Sequence, residues 1–456
     1  MTDAAALTRI VKAYDVRGLV ATELTPEVAL ALGTAVADEM GEPGGRFIVG
    51  HDMRPSSPAL VAAFTEGLLA AGVDVIDVGL ISTDGITYAS GLLDAPGAMF
   101  TASHNPAPYN GIKLCRAGAV PVAIDSGLAR IRDLAIEALA RPAAPVAARG
   151  TRSELELLPR FAAHVRTFLS GVPLAGMRIV VDAGNGMGGL VWPAVTEGLD
   201  IETVPLYFEL DGTFPNHPAD PLDAANLVDL SARVVAEGAV LGLAFDGDAD
   251  RVFAVDASGR PVDSSLVGAL VATRVLGGEP GGTVLHNLIC SRSVPEAIVA
   301  AGGTPVRTRV GHSFIKAEMA RTGAVLGVEH SGHFYFRDNH RADSGVIAAL
   351  MLLEAVAAAG GSLAEAVAPH DTRVRSGERN LRVTDTTAAL ALVRDAYAER
   401  APDELDGLTV DLGDVWFNVR ASNTEPLLRL NVEAGDAEAV GRTVDEVTAL
   451  LASVVA

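Results

Sequence analysis

The chain has 456 residues, 49 % of them apolar, which is enough for three or four domains with a sizeable core and excludes disorder on the scale of a domain. Its formal net charge of −22, from 57 acidic and 35 basic residues, argues against nucleic acid as a main partner, because a polyphosphate backbone is repelled at long range. A small phosphorylated ligand is not excluded, since a cleft can be locally basic. The two cysteines, Cys115 and Cys290, form no disulfide framework and fit a reduced, cytoplasmic compartment. Met1-Thr2-Asp3-Ala4 lacks the basic head and apolar run of a secretion signal. The Ala-rich segment 346–360, interrupted by Glu354, reads as a buried helix rather than a membrane span, so no membrane partner is expected.

In chain order, one pattern recurs three times. A short apolar strand-like run opens each unit, at Phe47-Ile48-Val49, Arg178-Ile179-Val180-Val181 and Thr283-Val284-Leu285. An apolar helical stretch follows, at 58–71, 187–199 and 293–301. A second strand-like run comes next, at Val73–Val78, Thr203–Tyr207 and Pro305–Val310. Each unit then reaches a polar loop, at Thr101–Pro106, Asp246–Arg251 and Glu329–His333. Strands alternating with helices predict parallel sheets flanked by helices, with ligand loops at the C-terminal ends of strands. The expected architecture is α/β: three similar α/β domains with mixed, mainly parallel sheets, plus a smaller C-terminal α+β domain, arranged around a central cleft. Boundaries are expected near 1–145, 150–255, 256–368 and 369–456, the first at Arg141-Pro142-Ala143-Ala144-Pro145.

Two loops carry the chemistry. Thr101-Ala102-Ser103-His104-Asn105-Pro106 sets one hydroxyl in a tight polar turn, and Asp246-Gly247-Asp248-Ala249-Asp250-Arg251 crowds three carboxylates beside an arginine. A spacing of two would put the carboxylates on one side of an extended segment. Carboxylates 4 Å apart repel by about 4 kcal/mol at an effective dielectric near 20, a sign that a divalent cation reverses. An oxygen-only ligand set favours magnesium over zinc. Arg251 can orient a carboxylate or touch phosphate with its donor fork. Arg17 and Lys113 are further cations near the first loop. His333 is the first choice for proton transfer, with Lys113 as helper, and His104 flanks the serine. Glu329 and Ser331 suit neighbouring hydroxyls of a pyranose. Arg420, Asn423 and Thr424 form a polar turn able to cradle an anion. Taken singly, Ser103 reads equally well as a turn or cap serine, and the aspartates as an exposed acidic turn.

Taken together, these loops resemble the alpha-D-phosphohexomutase family, in particular its bacterial phosphomannomutase/phosphoglucomutase type. The resemblance also rests on Tyr14-Asp15-Val16-Arg17-Gly18, Asn110-Gly111-Ile112-Lys113 and Gly311-His312-Ser313, all in family order over nearly the whole chain. It implies four domains around a deep cleft, with Ser103 as the active-site phosphoserine and Asp246, Asp248 and Asp250, with Ser103, around Mg²⁺. It places Glu329 and Ser331 on sugar hydroxyls, and Arg420, Ser422, Asn423 and Thr424 on the phosphate that is not transferred. Tyr14, Arg17, His104, Asn105, Lys113, Arg251, His312 and His333 match further active-site positions.

The implied activity is the reversible interconversion of hexose 1-phosphate and hexose 6-phosphate, with mannose phosphate preferred. A hexose 1,6-bisphosphate would be both intermediate and activator, and the enzyme would be a monomer or homodimer. Mutases of glucosamine or acetylglucosamine phosphate share the mechanism and are the alternative. A metal-dependent sugar phosphatase or a non-catalytic sugar-phosphate binding protein would leave the serine loop or the 420–426 loop without a task. There is one departure: Ile289 stands before Cys290, where many bacterial relatives carry a lysine. Either that contact is missing, or His286 or Arg292 supplies the charge.

Overall fold

The computed structural model describes residues 3–140, 148–421 and 427–452. The expected first boundary, at 141–145, lies outside the described residues. The chain forms two compact units, residues 1–267 with 331–366, and residues 268–330 with 367–456.

The first unit holds two α/β layers. One sheet runs in the order Val16–Leu19, Tyr109–Arg116, Gly97–Phe100, Arg46–His51, Asp74–Leu80, Arg152–Glu154. The last four strands are mutually parallel, and Tyr109–Arg116 is antiparallel to both of its neighbours in this order. Phe47, Phe64 and Phe100 are fully buried beneath it, with ring centroids 6.1 and 5.3 Å apart. Each such ring contributes about 1.5–3 kcal/mol by leaving water. The second sheet runs Pro261–Val262, Val252–Asp256, Leu241–Phe245, Met177–Asp182, Ile201–Leu206. Its last three strands are parallel, and Val252–Asp256 returns antiparallel. The runs read as strands at Phe47–Val49 and Arg178–Val181 lie inside Arg46–His51 and Met177–Asp182.

The Ala-rich segment is the helix Gly345–Ala358, buried along nearly all its length and capped by Ser344, whose Oγ accepts from Ile347 N–H. It packs on the helices Leu158–Arg166 and Gly188–Thr196. Residues 331–366 fall in the first compact unit.

In the second unit, Thr283–Asn287 pairs in parallel with Thr304–Thr308 and Leu326–Val328. The C-terminal sheet is antiparallel, in the order Val374–Arg375, Leu427–Ala434, Trp416–Ala421, Leu408–Asp411, with Arg379–Arg382 also on Leu427–Ala434. The helix Thr386–Ala396 is capped by Asp385, and Ala437–Leu451 by Asp436. Among the described residues no helix is long and apolar enough to cross a membrane.

Candidate active site

The serine loop leaves the C-terminal end of Gly97–Phe100. Thr101 Oγ1 accepts from Ser103 N–H at 2.9 Å, and Asn105 N–H donates to Ala102 O at 2.9 Å, which tightens the turn. Ser103 itself sits at φ +50°, a conformation that costs a non-glycine residue about 1–3 kcal/mol. Arg17 braces the loop by donating to Ala102 O at 3.2 Å and to Asn105 Oδ1 at 2.5 Å. Asp15 accepts from the same guanidinium at 2.6 Å, and half-buried Tyr14 precedes it.

The aspartate loop joins Leu241–Phe245 to Val252–Asp256. The three carboxylates do not converge by alternation along an extended segment, as the spacing suggested. A turn with Ala249 at φ +60° gathers them. Gly247 is required here, because a Cβ on it would stand 2.4 Å from Ser103 O. The absent side chain lets the two loops touch.

Ser103 Oγ donates to Asp246 Oδ2 at 2.7 Å, and one oxygen from each of Asp246, Asp248 and Asp250 lies within 4.8 Å of the others. All three carboxylates are buried, and Asp248 Oδ1 and Asp250 Oδ1 have no hydrogen-bond partner. Buried carboxylate oxygens without donors, in an oxygen-only set with a serine hydroxyl, fit a hard divalent cation. Thr83 Oγ1 donates to Asp248 Oδ2 at 2.6 Å, and Thr83 N–H to Asp248 O at 3.1 Å.

The cations are distributed by this turn. Arg251 pairs with Asp246, not with adjacent Asp250, through Nε to Oδ2 at 2.9 Å. Its Nη2 reaches His104 Nδ1 at 2.5 Å. Burial, then the Arg251 charge, push the His104 pKa down to about 2. That imidazole is therefore neutral, and Nδ1 is its acceptor. Lys113 Nζ bridges Asp248 Oδ2 at 2.8 Å and Asp250 Oδ2 at 2.6 Å. Burial alone would lower the Lys113 pKa, but these carboxylates outweigh it and push it up, so Lys113 is held as a cation. Burial would raise Asp248, yet Lys113 holds its carboxyl well below the usual range. Burial and its two neighbouring aspartates push Asp246 up, against Arg251.

His333 Nδ1 is 2.9 Å from Ser331 Oγ, and its Nε2 faces Asp250 Oδ1 at 3.6 Å and Asp343 Oδ2 at 4.0 Å. Arg251 and His333 form an isolated antiparallel bridge, which fixes the imidazole over the aspartate loop.

Glu329, His312 and Arg420 belong to the second unit. Glu329 is buried, and its Oε1 accepts from Gly311 N–H at 3.1 Å and Asn287 Nδ2 at 3.2 Å. His312 opens the helix His312–Thr322. Arg420 is also buried, and it shares Glu378 with Arg429 at 3.2 and 3.0 Å. Glu378 is thus one carboxylate shared by two guanidiniums near the end of Trp416–Ala421. Ser422, Asn423 and Thr424 lie outside the described residues.

Of the two residues that could stand in for a lysine at 289, His286 is neutral and Arg292 is a cation held in an ion pair. Burial pushes the His286 pKa down to about 4, and Arg292 is spent on Asp411 Oδ2 at 2.7 Å and Gly413 O at 2.6 Å. The sequence reading missed Thr83, Asp343, Arg54, Glu378 and Asp220, whose Oδ1 lies 3.8 Å from Arg251 Nη1. Only Thr83 had a local signal, in Ser82-Thr83-Asp84 opening a helix after an apolar run.

Mixed α/β layers presenting a serine hydroxyl to a buried carboxylate cluster define a phosphoryl-transfer class. Residues 8–138, 159–259 and 263–372 match the alpha/beta/alpha domains I, II and III of phosphoglucomutase/phosphomannomutase, and residues 378–450 match its C-terminal domain. The chain is 41 % identical over 446 residues to a Xanthomonas campestris protein named "Phosphohexose mutases", covering 96 % of this chain and 98 % of that one. It is 38 % identical over 442 residues to a Pseudomonas aeruginosa phosphomannomutase/phosphoglucomutase, covering 95 % and 93 %. A solved phosphoglucomutase/phosphomannomutase family protein from Burkholderia thailandensis superposes with a TM-score of 0.88 at 30 % identity, covering 99 % of this chain and 98 % of that one. The chain therefore belongs to the phosphoglucomutase/phosphomannomutase family, whose members are phosphohexomutases that transfer phosphate intramolecularly. The four-domain α/β architecture expected from the sequence is that of this family.

Proposed function

We propose that this enzyme interconverts hexose 1-phosphate and hexose 6-phosphate, with mannose phosphate preferred, through phospho-Ser103 and a hexose 1,6-bisphosphate. The observation that carries the reading is Ser103 Oγ held 2.7 Å from Asp246, inside the cluster of Asp248 and Asp250. Ser103 Oγ gives its phosphoryl group to a sugar hydroxyl, whose proton passes to His333 Nε2. The bisphosphorylated sugar turns over without leaving, and its other phosphoryl returns to Ser103 Oγ while His333 Nε2 gives its proton back to the sugar oxygen that the phosphoryl leaves. Asp246, Asp248, Asp250 and Ser103 would hold Mg²⁺. Bound there, the ion would neutralise and polarise the transferring phosphoryl group.

Arg251 and Lys113 stabilise the charge that develops on that group, since they are oriented before the reaction begins. Neutral His104 accepts from Arg251 and keeps its fork in place. Arg17, Tyr14 and Asn105 shape the serine loop toward the sugar. Glu329, Ser331 and His312 hold sugar hydroxyls, and Arg420, with Ser422, Asn423 and Thr424, holds the resting phosphate. The four modules are taken as 1–145, 150–255, 256–368 and 369–456. The low cysteine count supports the cytoplasm as the compartment, and the enzyme acts as a monomer or homodimer.

Turnover of mannose, glucose and glucosamine 1-phosphates, side by side with a trace of hexose bisphosphate, tests the reading. Mannose and glucose phosphates should be isomerised and glucosamine phosphate poorly. Release of inorganic phosphate in place of isomerisation would overturn it.

A further inference from the structure

Arg54 follows the strand Arg46–His51 and looks in the sequence like an ordinary loop arginine. The structure buries it to 1 % exposure. A guanidinium has five N–H groups, and here each meets an acceptor. Nε donates to Asp52 Oδ2 at 3.2 Å. Nη1 donates to Pro106 O and Tyr109 O, both at 3.0 Å. Nη2 donates to Ser103 O at 2.8 Å and Asn105 O at 2.6 Å. Four of the five bonds thus go to main-chain carbonyls between positions 103 and 109.

The anchor is itself held. Asp52 Oδ1 accepts from Arg54 N–H at 3.0 Å and from Ser57 Oγ at 2.8 Å. The Phe214 ring covers the guanidinium, 5.1 Å from centroid to Cζ, a cation–π contact that also keeps water off it. A buried cation persists only when nearby acceptors replace its hydration. The serine-loop carbonyls do so, which ties the loop conformation to the guanidinium.

We propose that Arg54 is a positioning residue for phosphoryl transfer: its fork gathers three carbonyls of the serine loop and that of Tyr109 at the start of the next strand, and thereby fixes the direction of Ser103 Oγ. Ser103 stands at φ +50° with its own carbonyl drawn to Arg54 and its hydroxyl directed to Asp246. Release of the carbonyl frees the residue to relax toward an ordinary backbone conformation and swings the hydroxyl away. The inference rests on Ser103 being the phosphoryl carrier. Lysine preserves the charge but has three donors on a flexible stem and no planar fork, so it cannot replace the arginine.

The test uses the full-length enzyme, wild type and Arg54→Lys. It follows phosphorylation of Ser103 by glucose 1,6-bisphosphate with intact-mass sampling, alongside steady-state kinetics. Arg54→Lys should lower kcat and the phosphorylation rate together by about 100-fold, with KM moving less than about threefold. A purely structural staple would instead reduce the amount of folded enzyme and leave kcat per folded molecule unchanged, and that result overturns the proposal. If Arg54→Lys does not fold, Phe214→Leu, which uncovers the guanidinium, should show the same split at smaller size. An unchanged kcat in Phe214→Leu then overturns it. Wild-type Ser103 that takes no phosphoryl group sinks the carrier reading, whereas normal phosphorylation of both proteins sinks only the role of Arg54.

Discussion

Ser103 Oγ and Asp246 Oδ2 are hydrogen-bonded at 2.7 Å although 143 residues separate them in the chain. Each stands on a loop at the C-terminal end of a strand, in different sheets of one unit. The hydroxyl proposed as the phosphoryl carrier and a carboxylate proposed as a cation ligand are therefore in contact.

Asp248 accepts from both Lys113 and Thr83 and leaves Oδ1 without a donor. Asp248→Asn should weaken the apparent Mg²⁺ affinity at least about tenfold, and Thr83→Val, which leaves the ligand but not its orientation, by about 10- to 100-fold. Titration of turnover with Mg²⁺ measures both. A titration superimposable on that of the wild type would remove Asp248 from the site.

Arg420 presents a buried guanidinium that shares one carboxylate with Arg429. Arg420→Ala should raise KM for hexose 1-phosphate by about tenfold or more, because a charge-assisted hydrogen bond is lost. Steady-state kinetics reads this directly. Unchanged KM and kcat would end its assignment to the resting phosphate.

Asp84 is fully buried and accepts from Ser82 Oγ and from Ser344 Oγ, the latter at 2.6 Å. Burial, aided by the charges of Asp250 and Asp343, pushes its pKa up to about 7. An unfolded aspartate titrates near 3.9, so between about pH 4 and 7 the folded state keeps a proton that the unfolded state has released. This contribution to stability is complete below about pH 4 and is lost as pH rises through about 7. Asp84→Asn carries no such proton, so its Tm should fall less than that of the wild type over this interval. Thermal melts across pH check it, and parallel curves for the two proteins would refute it.

The strand–helix units and their loops were legible in the sequence because each loop follows an apolar run and carries its own polar signature. The way the aspartates meet was not. A spacing of two pointed to an extended segment, whereas Ala249 in the left-handed region folds the loop back and hands Arg251 to Asp246. Gly247 gave no hint of its role, which depends on a backbone more than a hundred residues away. Arg54, Asp220 and Asp343 act through tertiary contacts that no local pattern encodes. The same holds for the helix Gly345–Ala358: its apolar character showed that it is buried, but not which partners bury it.

The most direct measurement is the mass of the intact enzyme after incubation with glucose 1,6-bisphosphate and Mg²⁺, with the modified residue mapped and isomerisation followed in parallel. The wild type should gain one phosphoryl group on Ser103, and Ser103→Ala should gain none and lose nearly all turnover. Phosphate on any other residue, or near-normal isomerisation by Ser103→Ala, would contradict the account.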